Sequence, residues 1–283
     1  MIRDIKKPAK TKKTRLIFSK IKSLIRKIAG DKRQKFISSV ILLSLGLFVS
    51  EHFLGKSSIY FIFTLALLTV FLLFLSLRRD LKGNFSWEIF ILPFFFSLSF
   101  GLFYLLVPAR YITRIIMTSL YAIGLYSLFL SENIFTVSSI RTIALLSSAK
   151  TVTVALTLLS FFFLSNVVFS LHLNIFFTIG LVLLYSFPII LQSIWIYTFE
   201  KKDASSILWV ISLTICILEA SVLLWFWPST PTLIALFLSG IFYSILGLSH
   251  VWLEKRLFKG VIWEYFWVMI ALLIVLVFFT SWT

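Results

Sequence analysis

The chain has 283 residues, 60% of them hydrophobic and 13% charged, with a mean hydropathy of +1.02 and a net charge of +16. Soluble domains are about half apolar and roughly a quarter charged, so a water-soluble enzyme, a nucleic-acid-binding domain and a secreted disulfide scaffold are excluded. The single cysteine, Cys216, precludes a disulfide within the chain.

The charge is concentrated at the start, where 14 of the 27 Lys and Arg residues precede Phe36. Within residues 1–35, Ile17, Ile21, Leu24, Ile25 and Ile28 recur at helical spacing, and Lys20, Lys22, Arg26 and Lys27 take the other faces. This pattern predicts a basic amphipathic helix on the cytoplasmic leaflet, with those four side chains against anionic lipid. The basic stretch is too long for a cleavable signal peptide, and no small-residue cleavage motif follows it. Residues 1–35 are therefore read as a cytoplasmic segment ahead of a transmembrane domain at 36–283.

Nine apolar runs follow, near 36–54, 58–77, 87–107, 112–130, 151–171, 174–197, 205–227, 231–250 and 262–280. Each is long enough to cross about 30 Å of hydrocarbon as a helix, and none alternates with the period of a barrel strand. The expected fold is all-α, a polytopic integral membrane bundle of about nine transmembrane helices. Placing the amino terminus in the cytoplasm and the carboxyl terminus outside puts 24 Lys and Arg on the cytoplasmic side and three, Lys56, Arg110 and Arg114, on the other. Most tryptophans fall near predicted span ends, as amphipathic indoles should.

Local signals refine this layout. Small residues four apart, Gly46 with Ser50, Ser97 with Gly101, and Gly240 with Ser244 and then Gly247 at the next turn, mark expected helix contacts. Pro93 and Pro188 lie inside spans and predict kinks. Thr230 is placed to cap the eighth span, with Pro231 at its first position. Residues 131–150 read as an interfacial helix or an extension of the fifth span, with Asn133 as its cap; Arg141 and Lys150 are read either as charges of a cytoplasmic connector or as contacts for lipid phosphates.

Glu219 stands out among the polar residues because it lies well inside the seventh span, where a carboxylate is costly and normally faces the bundle interior. Glu51, His52, Arg114, Asn166 and His172 are expected at similar depth. Arg114 is the natural ion-pair partner of Glu219 or Glu51. The cluster is read either as a structural salt bridge or as a site for a proton, a cation or a polar headgroup. His250 with Glu254, together with Glu88 and Glu264, reads as solvated helix ends, and Gln192 as an interhelical hydrogen bond.

The segment from Glu132-Asn133-Ile134-Phe135 through Arg141-Thr142-Ile143 resembles one in uncharacterised multi-pass membrane proteins of candidate-phylum bacteria. The resemblance covers about 20 residues plus the span pattern. It implies a membrane location and carries no activity and no functional residues.

The sequence lacks a His-Glu-x-x-His zinc motif, a Gly-x-Ser-x-Gly elbow and a phosphate-binding glycine loop. No catalytic residue, metal or cofactor is assigned, and the partners expected are membrane lipids, with no nucleic acid. The expected role is a non-enzymatic inner-membrane component, a scaffold or assembly factor. The alternatives are a small-solute, ion or lipid transporter working at Glu219 and Arg114, and a lipid-modifying enzyme.

Overall fold

A computed structural model describes residues 32–53, 58–78, 81, 86–108, 110–138, 145–198 and 204–280. These form an all-helical bundle. Helix α1 spans Lys32–Phe53 and α2 spans Ser58–Leu77. A 3-10 turn, Trp87–Phe90, leads into α3, Ile91–Leu106. Then come α4 (Tyr111–Ser138), α5 (Leu146–Ser170), α6 (Ile175–Trp195), α7 (Ala204–Trp225), α8 (Pro231–Leu253) and α9 (Lys259–Phe279). Among the described residues, the eight helices α2 to α9 are long and apolar enough to cross a membrane. The remaining helix, α1, opens on Lys32-Arg33-Gln34-Lys35 and becomes apolar from Phe36.

The helices follow the apolar runs closely, with one departure. In place of a separate interfacial helix, the stretch 131–150 is shared between its neighbours, and the expected extension of the fifth span is present over 146–150. Residues 131–138 continue α4, and α5 begins at Leu146, while 139–144 lie outside the described residues. Asn133 therefore sits within a helix and caps nothing. Ser131, Glu132 and Asn133 lower the hydropathy without supplying a glycine or proline to stop the helix.

Two further expectations change in detail. Pro93 falls in the first turn of α3, where its missing N–H leaves no bond unmade, and the chain enters that helix through the 3-10 turn. Thr230 does occupy the cap position before Pro231, with an extended backbone, but its hydroxyl makes no capping bond. Pro188 lies inside α6 as expected.

Helix α5 is central, packing on α3, α4, α6 and α8. Its residues 161 and 163 are about 200° apart around the helix axis, so each serves a different core. Phe163 stacks on Phe103 of α3 at 4.2 Å. Phe161 stacks on Phe242 of α8 at 3.9 Å and meets Tyr185 of α6 edge-on. One apolar core thus gathers α1 to α4 against α5, and the other gathers α6 to α8 against its far face.

Buried hydroxyls are mostly bonded within their own helix, as in Thr69 to the Leu65 carbonyl and Thr157 to that of Thr153. A few tie helices together. Ser97 bonds both Thr69 and Tyr121 at 2.9 Å, joining α2, α3 and α4. Ser165 bonds Tyr185 at 2.8 Å, joining α5 to α6.

The small-residue positions behave as close-approach points. A Cβ at Gly101 would meet Ile62 of α2 at 2.5 Å, and one at Gly46 would meet Leu65 at 3.1 Å. Cβ atoms at Gly240 and Gly247 would run into Leu272 and Tyr265 of α9. Helix α9 otherwise lies at the edge, packed on α8, and of its residues only Leu276 is buried.

Candidate functional site

Polar side chains converge where α5 begins and where α6 and α8 end. The convergence follows from helical spacing, since Ser193 and Tyr197 are four residues apart along one chain segment and His250 and Glu254 are four apart on the other. Oγ of Ser193 lies 3.1 Å from Nε2 of His250. The His250 ring stacks on Tyr197 with centroids 4.0 Å apart. Lys150 places its ammonium 4.0 Å from the centre of the Tyr197 ring and 3.3 Å from Oε1 of Glu254. Arg256 reaches Oε2 of the same carboxylate at 3.7 Å.

Ser193, Tyr197, His250 and Glu254 line one end of a cavity of about 320 Å³, and Leu158, Phe242 and Leu246 line the other; Lys150 and Arg256 bind Glu254 without being part of the lining. Tyr265 completes the wall from α9, seated against Gly247. The cavity is therefore amphiphilic, with ionic and aromatic groups at one end and hydrocarbon at the other. Burial pushes the Tyr197 phenol up to about 12, and the neighbouring Glu254 carboxylate adds to the shift.

His250, only 6% exposed, is not the solvated helix end that its position in sequence suggests. Glu88 is buried as well, on the 3-10 turn. Both residues end apolar stretches, but neighbouring elements extend past them and cover them. Gln192 does bond between helices, as expected. Its Nε2 donates to Oε1 of Glu132 on α4 at 2.8 Å. Glu132 is fully buried, although the sequence predicts a surface element for residues 131–150. The missed signal was the matching four-residue spacing of Ser193 and Tyr197 at the end of α6, opposite that of His250 and Glu254 on α8.

The residues expected to form the Glu219 cluster are dispersed. Glu219 is exposed on the outer side of α7, a helix that packs on α6 and α8. Arg114 is half-buried in the first turn of α4, which packs on α1, α3 and α5. Asn166 is buried and fastens α5 to α8, its Nδ2 donating to Oγ1 of Thr232 at 3.1 Å while Ser170 donates to its Oδ1 at 3.3 Å. His172 is exposed in the turn after α5 with φ of 46°, at the rim of a second cavity of about 280 Å³ beside Trp225 and Trp227. The side chains of Glu51 and His52 lie outside the described residues, as do Lys20, Lys22, Arg26, Lys27 and Arg141. Lys150 is the one expected lipid contact that is described, and it stands at the cavity. Among the described residues, no group of three or more His, Cys, Asp or Glu is placed to hold a metal ion.

Residues 37–279 match a protein family described as of unknown function, DUF5656. No curated protein and no solved structure matches the chain. With the match running from the second turn of α1 to the end of α9, the chain belongs to the DUF5656 family, in agreement with the resemblance to uncharacterised multi-pass proteins.

Proposed function

We propose that the protein is a multi-pass component of a bacterial inner membrane that holds a lipid by its headgroup in the Lys150–His250 cavity. The chain crosses nine times with its amino terminus in the cytoplasm, α1 being the first crossing. The 24 to 3 division of Lys and Arg supports this orientation. So do the indoles, with Trp209 stacked on Trp252 at one end of the bundle and Trp225 bonding the Leu173 carbonyl at the other. In that orientation the cavity opens at the cytoplasmic leaflet.

The observation that carries the reading is the amphiphilic lining. Binding sites for small molecules are mostly apolar with a few convergent polar groups. Here the polar end is Ser193, Tyr197, His250 and Glu254, and two cations beside the cavity, Lys150 and Arg256, share the Glu254 carboxylate. An anionic headgroup offers both of them a second acceptor, and the acyl chain runs past Leu158 and Phe242. The role is binding, consistent with a scaffold or assembly component.

The test is lipid retention by the purified protein, read by mass spectrometry after exchange into mixed vesicles of anionic and zwitterionic phospholipid. Enrichment of the anionic lipid is expected. Lys150→Gln should lower its retention roughly tenfold, the size of one charge-assisted hydrogen bond. Equal retention of both lipids, unaffected by Lys150→Gln, would refute the reading.

A second reading, a lipid-modifying enzyme, is favoured by one feature. Ser193 and His250 are paired inside the cavity as a nucleophile and its base would be. Lipid turnover abolished by Ser193→Ala, with lipid retention intact, would establish it.

A further inference from the structure

Next to the cavity on α6, the hydrogen-bond arithmetic of the Glu132–Gln192 pair does not close. Glu132 is fully buried and Gln192 is 2% exposed. Oε1 of Glu132 accepts from Nε2 of Gln192 at 2.8 Å. The second carboxyl oxygen of Glu132 and the amide oxygen of Gln192 are both buried without a hydrogen-bond partner. Because the side chains are already bonded at their other ends, these two lone oxygens belong to one small site. Two buried acceptors with no donor are costly, and the charge of a bare carboxylate makes the cost larger.

A single proton removes both deficits. A carboxylic acid and a primary amide form a closed ring with two hydrogen bonds, one N–H to carbonyl and one O–H to carbonyl. Turning the Gln192 amide over changes which Glu132 oxygen carries the hydrogen and leaves the count unchanged. Of the cations on the surrounding elements, Lys150 on α5 is paired with Glu254, Lys32 and Arg33 on α1 are exposed and Lys35 on α1 is half-buried, while the side chain bonded to Glu132 is Gln192. Glu88 stands on the 3-10 turn that packs against both α4 and α6, and as a second acid it adds no positive charge.

We propose that Glu132 and Gln192 form a buried proton-binding site, with the proton held between a carboxyl oxygen of Glu132 and the amide oxygen of Gln192. This inference stands apart from the occupant of the cavity. It adds an acidic hydrogen inside the bundle to the polar groups that run from α4 through Gln192 and Ser193 to α8. Since Gln192 and Ser193 are consecutive, about 100° apart around α6, the proton site and the cavity are neighbours on that helix.

Infrared spectroscopy of the full chain in lipid vesicles at neutral pH tests this. The protonated carboxyl should give a carbonyl band above the amide region that shifts down in heavy water. Glu132→Gln, which preserves the paired geometry with a neutral group, should remove the band, and added sodium should leave it unchanged in the wild-type chain. Gln192→Leu should move the band to higher frequency, because the acid loses its partner, and this reads the same site if Glu132→Gln fails to assemble. Absence of the band, its survival in Glu132→Gln, its loss on adding sodium, or an unmoved band in Gln192→Leu would each overturn the proposal.

Discussion

The imidazole of His250 lies flat on the phenol ring of Tyr197, with centroids 4.0 Å apart and planes 14° apart. With that face taken, the Lys150 ammonium, 4.0 Å from the same ring centre, occupies the other. Tyr197 is thus layered between two nitrogen bases, close to the Glu254 carboxylate that Lys150 also binds. Burial and Glu254 both disfavour its phenolate. Absorbance titration should show this tyrosine ionising near 12, and Glu254→Gln should bring it down toward its ordinary 10.0. The folded-state value is raised, so the associated stability is complete below about 10 and is lost as pH rises toward about 12. An unchanged titration in Glu254→Gln would show that the carboxylate does not act on the ring.

Gly247 is the seat of Tyr265. A methyl group there occupies the space of the phenol ring, which also packs on Tyr243 at 5.3 Å. Gly247→Ala should cost about 1–3 kcal/mol through overpacking and should loosen α9 from α8. Cysteine pairs engineered across the two helices should crosslink more slowly in this variant, while crosslinks between α5 and α8 keep their rate.

Tyr121 closes the hydroxyl chain that joins α2, α3 and α4. Tyr121→Phe removes its bond to Ser97 and leaves the ring packing on Phe96 and Phe100 in place. Single interhelical hydrogen bonds in membranes average about 0.6 kcal/mol, so a loss of that order is expected in reversible unfolding from mixed micelles. A loss of several kcal/mol would mean that the three hydroxyls act as one cooperative unit.

Glu219 lies six residues before Trp225, roughly 9 Å from the end of α7, and points away from the bundle. An outward carboxylate at that depth favours neither packing nor lipid. Glu219→Leu should raise stability in bilayers by about 1 kcal/mol, and Glu219→Gln should leave lipid retention at the cavity unchanged. Destabilisation by Glu219→Leu would indicate a contact that this side chain makes within the membrane.

The helices were legible because apolar runs of sufficient length carry their own signal, and the termini were nearly so. The site was not. Lys150 and Glu254 are 104 residues apart, and Glu132 and Gln192 are 60 apart, so nothing local announces either pair. Glu132 was hidden in a second way. Its polar neighbours Ser131 and Asn133 imitate a connector, yet the helix continues through them and carries the acid inside. Glu219 misled for the opposite reason. Its hydropathic setting gives its depth, whereas the face it occupies depends on which helices flank α7. Small residues fared better, because a glycine that admits a neighbouring side chain does so wherever the partner comes from, as Gly240 and Gly247 do for Leu272 and Tyr265 of α9.

Helix α9 hangs on α8 like a door leaf on its post. The connecting residue Lys255 has a φ of 57°, and two glycine seats are what Leu272 and Tyr265 must leave for the leaf to swing. The far end of the leaf is held more firmly, since Leu276 is buried in the core that α6 to α8 form against α5 and Trp227 donates to Oγ1 of Thr280 at 2.8 Å. The wall that Tyr265 gives the cavity therefore belongs to the more loosely held half of α9, and an outward shift of that half alone would widen the cavity toward the flank of the bundle.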